Sequence, residues 1–88
     1  MSYIKKRLLC ESVKFIELCQ KKVLSGEINI STYVLLSNVK IDFLKSFLNA
    51  NYYDVYFGEE FSNRMKKLFA MDYIVKCGVF SDVKNEIQ

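Results

Sequence analysis

The chain has no histidine, no proline and no tryptophan, and only three glycines, three cysteines and two alanines among 88 residues. Histidine is the commonest general base near neutral pH and the commonest metal ligand. Without it, a cysteine nucleophile lacks its usual partner. No G-x-S-x-G elbow, no phosphate-binding glycine loop and no C-x-x-C pair occurs. Glu59 and Glu60 are adjacent, so on a helix they diverge by about 100° and do not converge on one substrate atom. These absences predict a protein that is not an enzyme and carries neither cofactor nor metal.

Long apolar runs are also missing. No stretch approaches the length of a membrane span. The start, MSYIKKRLLCESVKF, is basic but has no apolar run long enough for a signal peptide. Cys10, Cys19 and Cys77 are odd in number and match no metal or redox spacing. On one helix Cys10 and Cys19 would lie about 13 Å apart along the axis and on opposite faces, beyond disulfide reach. Reduced thiols and an intracellular, cytoplasmic location are therefore expected. Scarce alanine and proline, with 11 lysines against two arginines, follow AT-rich codons. A low-GC bacterium, its phage or mobile element, or an AT-rich virus would supply such a chain.

Hydrophobic residues are abundant, at 51% of the chain with 15% aromatic. One domain, 1–88, is the expectation at this length. So small a domain buries a limited share of its surface, so part of this apolar supply is expected to meet a partner or a second copy of the chain. The net charge of +3 is unevenly spread. Residues 2–24 hold Lys5, Lys6, Arg7, Lys14, Lys21 and Lys22 against Glu11 and Glu17, whereas residues 25–50 and 51–77 each balance.

Helical periodicity predicts an all-α fold: a compact bundle of three main helices, about 2–24, 31–50 and 55–77, with a short C-terminal helical turn. Ser2 is the expected first N-cap and Ser25-Gly26 the stop. Ile4, Leu8, Phe15, Ile16, Cys19 and Val23 form one apolar arc, with Arg7, Lys14 and Lys21 opposite. Glu17 and Lys21 make a favourable i,i+4 pair. Ser31 would cap the second helix, whose apolar residues Tyr33, Val34, Leu36, Val39, Ile41, Phe43, Leu44, Phe47 and Leu48 cover well over half its circumference. A helix of that kind is expected to be the centre of the fold or the seam of a dimer. Asn49-Ala50-Asn51 breaks the pattern. The third helix would start at Asp54 or Gly58, carry the stripe Phe57, Phe61, Met65, Leu68, Met71 and Val75, and end at Gly78. Ser81 would cap a last turn through Ile87.

Residues 52–57, Tyr-Tyr-Asp-Val-Tyr-Phe, put four aromatics where a polar link would be usual. Tyr52, Tyr53 and Tyr56 are candidates for a partner contact, because tyrosine joins a large apolar face to a hydrogen-bonding tip. They would equally plug the end of the bundle, and a short strand is a third option, although no second strand is visible to pair with it. Arg7, Lys14, Lys21 and Lys22 form a basic face suited to phosphates, to an acidic partner or simply to water. Asn63, Lys66 and Lys67 lie on the outer side of the third helix. Glu59 and Glu60 near its N-terminus oppose a DNA-reading role, as does the long link between the first two helices. Asp72 falls within the apolar stripe and needs a partner, either Lys76 or a base from the first helix. The leading expectation is a small protein–protein interaction module, a regulator or adaptor that self-associates. The alternatives are a nucleic-acid-binding regulator using the basic face and a purely structural oligomer subunit.

Overall fold

Four helices follow one another: α1 Tyr3–Leu24, α2 Ile30–Lys45, α3 Tyr52–Phe57 and α4 Glu59–Cys77. They belong to a computed structural model that describes residues 3–48 and 52–78, with the backbone alone for Tyr3, Tyr52 and Tyr56. The expected cap at Ser2, the break at 49–51 and the turn at 81–87 lie outside the described residues. The architecture is an all-α bundle in which α1, α2 and α4 are the main helices.

Local chemistry sets the ends. α1 closes at Ser25-Gly26, where Gly26 takes φ 83° and its N–H donates to the Val23 carbonyl at 3.1 Å. Only glycine enters that left-handed region without strain. The cap of α2 is Asn29, not Ser31. Asn29 has extended backbone, and its Oδ1 accepts from the Thr32 N–H at 2.8 Å. Asparagine caps as well as serine, and this start places Ile30 at the first helical position, packed on the apolar cluster beneath. α2 ends at Lys45, five residues short of the expected 50.

The third expected helix is two helices. Residues 52–57 are helical, which removes the strand reading of the aromatic segment. Gly58, with φ 90° and ψ 173°, separates α3 from α4. The break lets Phe57 stack on Phe61, with centroids 4.3 Å apart and planes 21° from parallel. Glu59 and Glu60 occupy the first turn of α4, where their charge suits the helix dipole.

α1 is the central helix. Both α2 and α4 pack along it and touch each other less. Its buried face is Leu9, Ser12, Val13, Ile16, Cys19, Gln20 and Val23, a regular three-four spacing. The expected arc was rotated from this. Ile4 is 71% exposed and Leu8 48% exposed. Two neighbours flank α1, so the arc that counts is centred where both can reach it.

α2 is correspondingly less enclosed than its sequence suggests. It buries Tyr33, Ser37, Ile41 and Leu44, while Leu35 and Val39 are 81% and 79% exposed. Of α4, Met65, Leu68, Asp72 and Val75 are buried and Phe61 and Met71 pack against the core, joined by Phe57 from the end of α3, as the stripe predicts. Two apolar clusters result. One holds Leu9, Val13, Ile16, Ile41, Leu44, Tyr53, Met65 and Leu68. The other holds Cys19, Val23, Tyr33 and Val75. Each fully buried leucine or isoleucine contributes about 2 kcal/mol by leaving water.

Candidate functional site

Tyr53 is spent on the core. It is 4% exposed, packs against Phe61 at 5.9 Å between centroids, and donates its hydroxyl proton to the Leu44 carbonyl. Leu44 lies in the last turn of α2, so the Tyr53 bond ties α3 to the end of α2. The plug reading of the aromatic segment therefore holds for Tyr53, which offers no surface to a partner. The side chains of Tyr52 and Tyr56 lie outside the described residues.

A buried polar chain joins the three main helices. Gln20 of α1 donates from Nε2 to the Tyr33 hydroxyl at 3.2 Å and to the Leu68 carbonyl at 3.0 Å. Tyr33 of α2 donates to Asp72 Oδ1 of α4 at 2.7 Å. Lys76 Nζ meets Asp72 Oδ2 at 3.1 Å. Gln20, Tyr33 and Asp72 are 6%, 0% and 4% exposed. Asp72 thus takes the expected Lys76, but its second partner is a tyrosine from α2 and not a base from α1. Among the described residues no buried side-chain nitrogen or oxygen lacks a partner. The chain fixes how the helices register, since each member has one geometry in which it is satisfied.

Burial, with the hydrogen bond to Asp72 as the next cause, holds the Tyr33 hydroxyl far above its ordinary value near 10. Tyr33 is therefore a neutral donor at physiological pH. The sign for stability follows from linkage. The unfolded tyrosine ionises near pH 10 while the folded one keeps its proton. Stability is fully present below about pH 10 and is lost as pH rises from there towards the folded value. In Tyr33→Phe the fall of the urea midpoint between about pH 10 and 11.5 is expected to be shallower than in the parent. Parallel curves would remove this role of Tyr33.

The basic face is on the surface, with Arg7, Lys14, Lys21 and Lys22 all exposed. It is not a uniform tract. Arg7 Nε donates to Glu11 at 3.0 Å. Lys5 sits 5.3 Å from the Phe47 ring centroid, Lys6 5.3 Å from that of Phe57, and Lys40 5.1 Å from that of Phe15. These ammonium groups cover aromatic rings at the margins of the core. Glu17 pairs with Arg64 of α4 and not with Lys21. Arg64 Nε and Nη2 reach the two Glu17 oxygens at 2.8 and 2.5 Å. The bidentate bond raises the guanidinium pKa further. Burial raises the Cys19 thiol, with Lys22 and Lys40 opposing it, so Cys19 is a poor nucleophile. Among the described residues no group of three or more Cys, Asp or Glu side chains is arranged to hold a metal, and no helix is long and apolar enough to cross a membrane.

Among the described residues, α1 has a groove on each side. One, of about 230 Å³ between α1 and α2, is lined by Leu8, Ser12, Val39, Lys40 and Phe43. Leu36 lies on the same side of α2, one turn before Lys40, and Ile4 one turn before Leu8 on α1. Leu36 is 44% exposed. The other groove, of about 300 Å³ between α1 and α4, includes Lys21, Leu24, Lys67 and Met71. The first is lined mainly by apolar side chains. The sequence placed Leu8 in the apolar arc of the first helix, and Val39 and Phe43 on a helix read as the centre of the fold or the seam of a dimer; exposure of an apolar helix face depends on how many neighbours the helix has.

No known protein family matches the chain, and comparison with curated proteins and with solved structures finds no match.

Proposed function

We propose that the protein is a small non-enzymatic interaction module of the cell interior, a regulator or adaptor that pairs with a second copy of itself. The contact is the α1–α2 face. One observation carries this reading: Leu8 and Val39 stand exposed in one groove between two adjoining helices, and Ile4, Leu35 and Leu36 are exposed one turn before Leu8, Val39 and Lys40 on the same helices. A contiguous apolar patch of that kind on a soluble domain marks an interaction surface. Two-fold pairing would lay α2 against α2 and enclose its outer face, which is the surrounding its composition calls for. This reading puts the contact on the outer side of the bundle; of the corner residues Tyr52, Tyr53 and Tyr56, Tyr53 is buried and the side chains of the other two lie outside the described residues.

Light scattering across concentration tests this. The expected mass is twice 10.3 kDa. Leu35→Glu with Val39→Glu should return it to 10.3 kDa with the helical circular dichroism unchanged, because both side chains already face water. A parent that stays monomeric up to about 0.5 mM would sink the proposal. The competing reading, nucleic-acid binding by Arg7, Lys14, Lys21 and Lys22, is separated by adding duplex DNA at low salt. It requires a complex that weakens steeply as salt rises and is lost when those residues become glutamine.

A further inference from the structure

The groove between α1 and α4 is a second, different surface. Its lining is mostly apolar, from Leu24, Leu68 and Met71, with Lys21 of α1, Lys67 of α4 and Gln20, whose amide is already bonded to Tyr33 and to the Leu68 carbonyl. Glu17 lines one end, but its carboxylate is held at both oxygens by Arg64, so it presents little uncompensated negative charge to the groove. Neither Lys21 nor Lys67 forms an ion pair with any described residue, and both are exposed. Two cations without an ion-pair partner among the described residues thus line one groove together with apolar side chains. An occupant that satisfies both features carries carboxylates on either side of an aliphatic side chain.

We propose that this groove binds an acidic protein segment, with one leucine-like side chain seated on Leu24, Leu68 and Met71 and flanking carboxylates on Lys21 and Lys67. The groove is open to the surface and sits at the lower end of the volumes that enclose small molecules. Such a shape receives a side chain from an extended or helical segment. A nucleic acid would meet the lysines but leave the apolar lining unused. The site lies on the opposite edge of α1 from the proposed self-association face and does not depend on it.

The probe is a synthetic 12-residue peptide, two copies of Glu-Glu-Leu-Leu-Glu-Glu, added to the full chain labelled with ¹⁵N. Saturable binding is expected, with amide shifts centred on Lys21, Leu24, Lys67 and Met71. Lys21→Gln with Lys67→Gln should weaken it about ten-fold, as two exposed charge pairs would. Exchanging the peptide's leucines for serine should weaken it too, and exchanging its glutamates for glutamine should abolish it. Absence of saturable binding by about 1 mM would overturn the proposal. Equal affinity in the double lysine variant would do so as well, as would shifts centred on Leu8 and Val39. Equal competition by a single-stranded oligonucleotide of similar charge would also overturn it, because the groove would then read charge alone. The oligomeric mass of the parent is measured separately, so failure here and failure of the self-association reading are told apart.

Discussion

Tyr53→Ala is expected to lower the unfolding free energy by about 3–5 kcal/mol, the range for truncating a buried aromatic side chain. A small domain has about 5–10 kcal/mol in all, so the variant should be largely unfolded at modest urea. The reason is position. Tyr53 lies in the larger apolar cluster and against Phe61, and its hydroxyl ties α3 to the last turn of α2. Tyr53→Phe separates the two contributions. It keeps the ring and loses the bond to the Leu44 carbonyl, at an expected cost of about 1 kcal/mol. Urea denaturation followed by circular dichroism measures both. A Tyr53→Ala protein with parental stability would return Tyr53 to the candidates for a partner contact.

The same residue shows how far the sequence could be read. Periodicity places the stripe from Phe61 through Val75 correctly, because a helix with one covered face repeats its apolar residues every three or four positions. It cannot choose between Leu8 and Leu9, which are adjacent and chemically alike. That choice is made by where α2 and α4 converge on α1, and it leaves Leu8 at the rim and Leu9 at 0% exposure. Neither could periodicity show that α2 has an open side, since the count of neighbours is a property of the assembled bundle. Glu17 illustrates competition between local and distant partners. Lys21, at i+4, is the local offer, but a planar guanidinium binds both carboxylate oxygens at once. Arg64, 47 positions away, supplies it. Lys5 and Lys6 read only as part of the basic excess of residues 2–24, yet each lies over an aromatic ring 42 or more positions along the chain.

Asp72 was legible as a buried acid in need of a partner, and Lys76 was legible as one answer. Tyr33 and Gln20 were not, because an apolar-face tyrosine and a helix glutamine carry no sign of their bonding in the sequence. Their coupling gives the second large effect. Tyr33→Phe removes a donor from a carboxylate that is 4% exposed. Hydrogen bonds to charged groups contribute about 1.5–3 kcal/mol, so a loss near the top of that range is expected, Asp72 having only Lys76 left. Asp72→Leu alone should cost a similar amount, for the opposite reason: the Tyr33 hydroxyl proton then points at an aliphatic side chain. The two together should not add. With both polar ends gone, the paired variant exchanges a desolvated bond for apolar contact, which is nearly neutral where shapes match. The expected coupling is therefore about 2 kcal/mol or more in favour of the double variant. Unfolding curves for the parent, both single variants and the double close the cycle. Simple additivity would mean that Tyr33 and Asp72 are each held by other groups, and that the register of the bundle does not rest on the chain from Gln20 to Lys76.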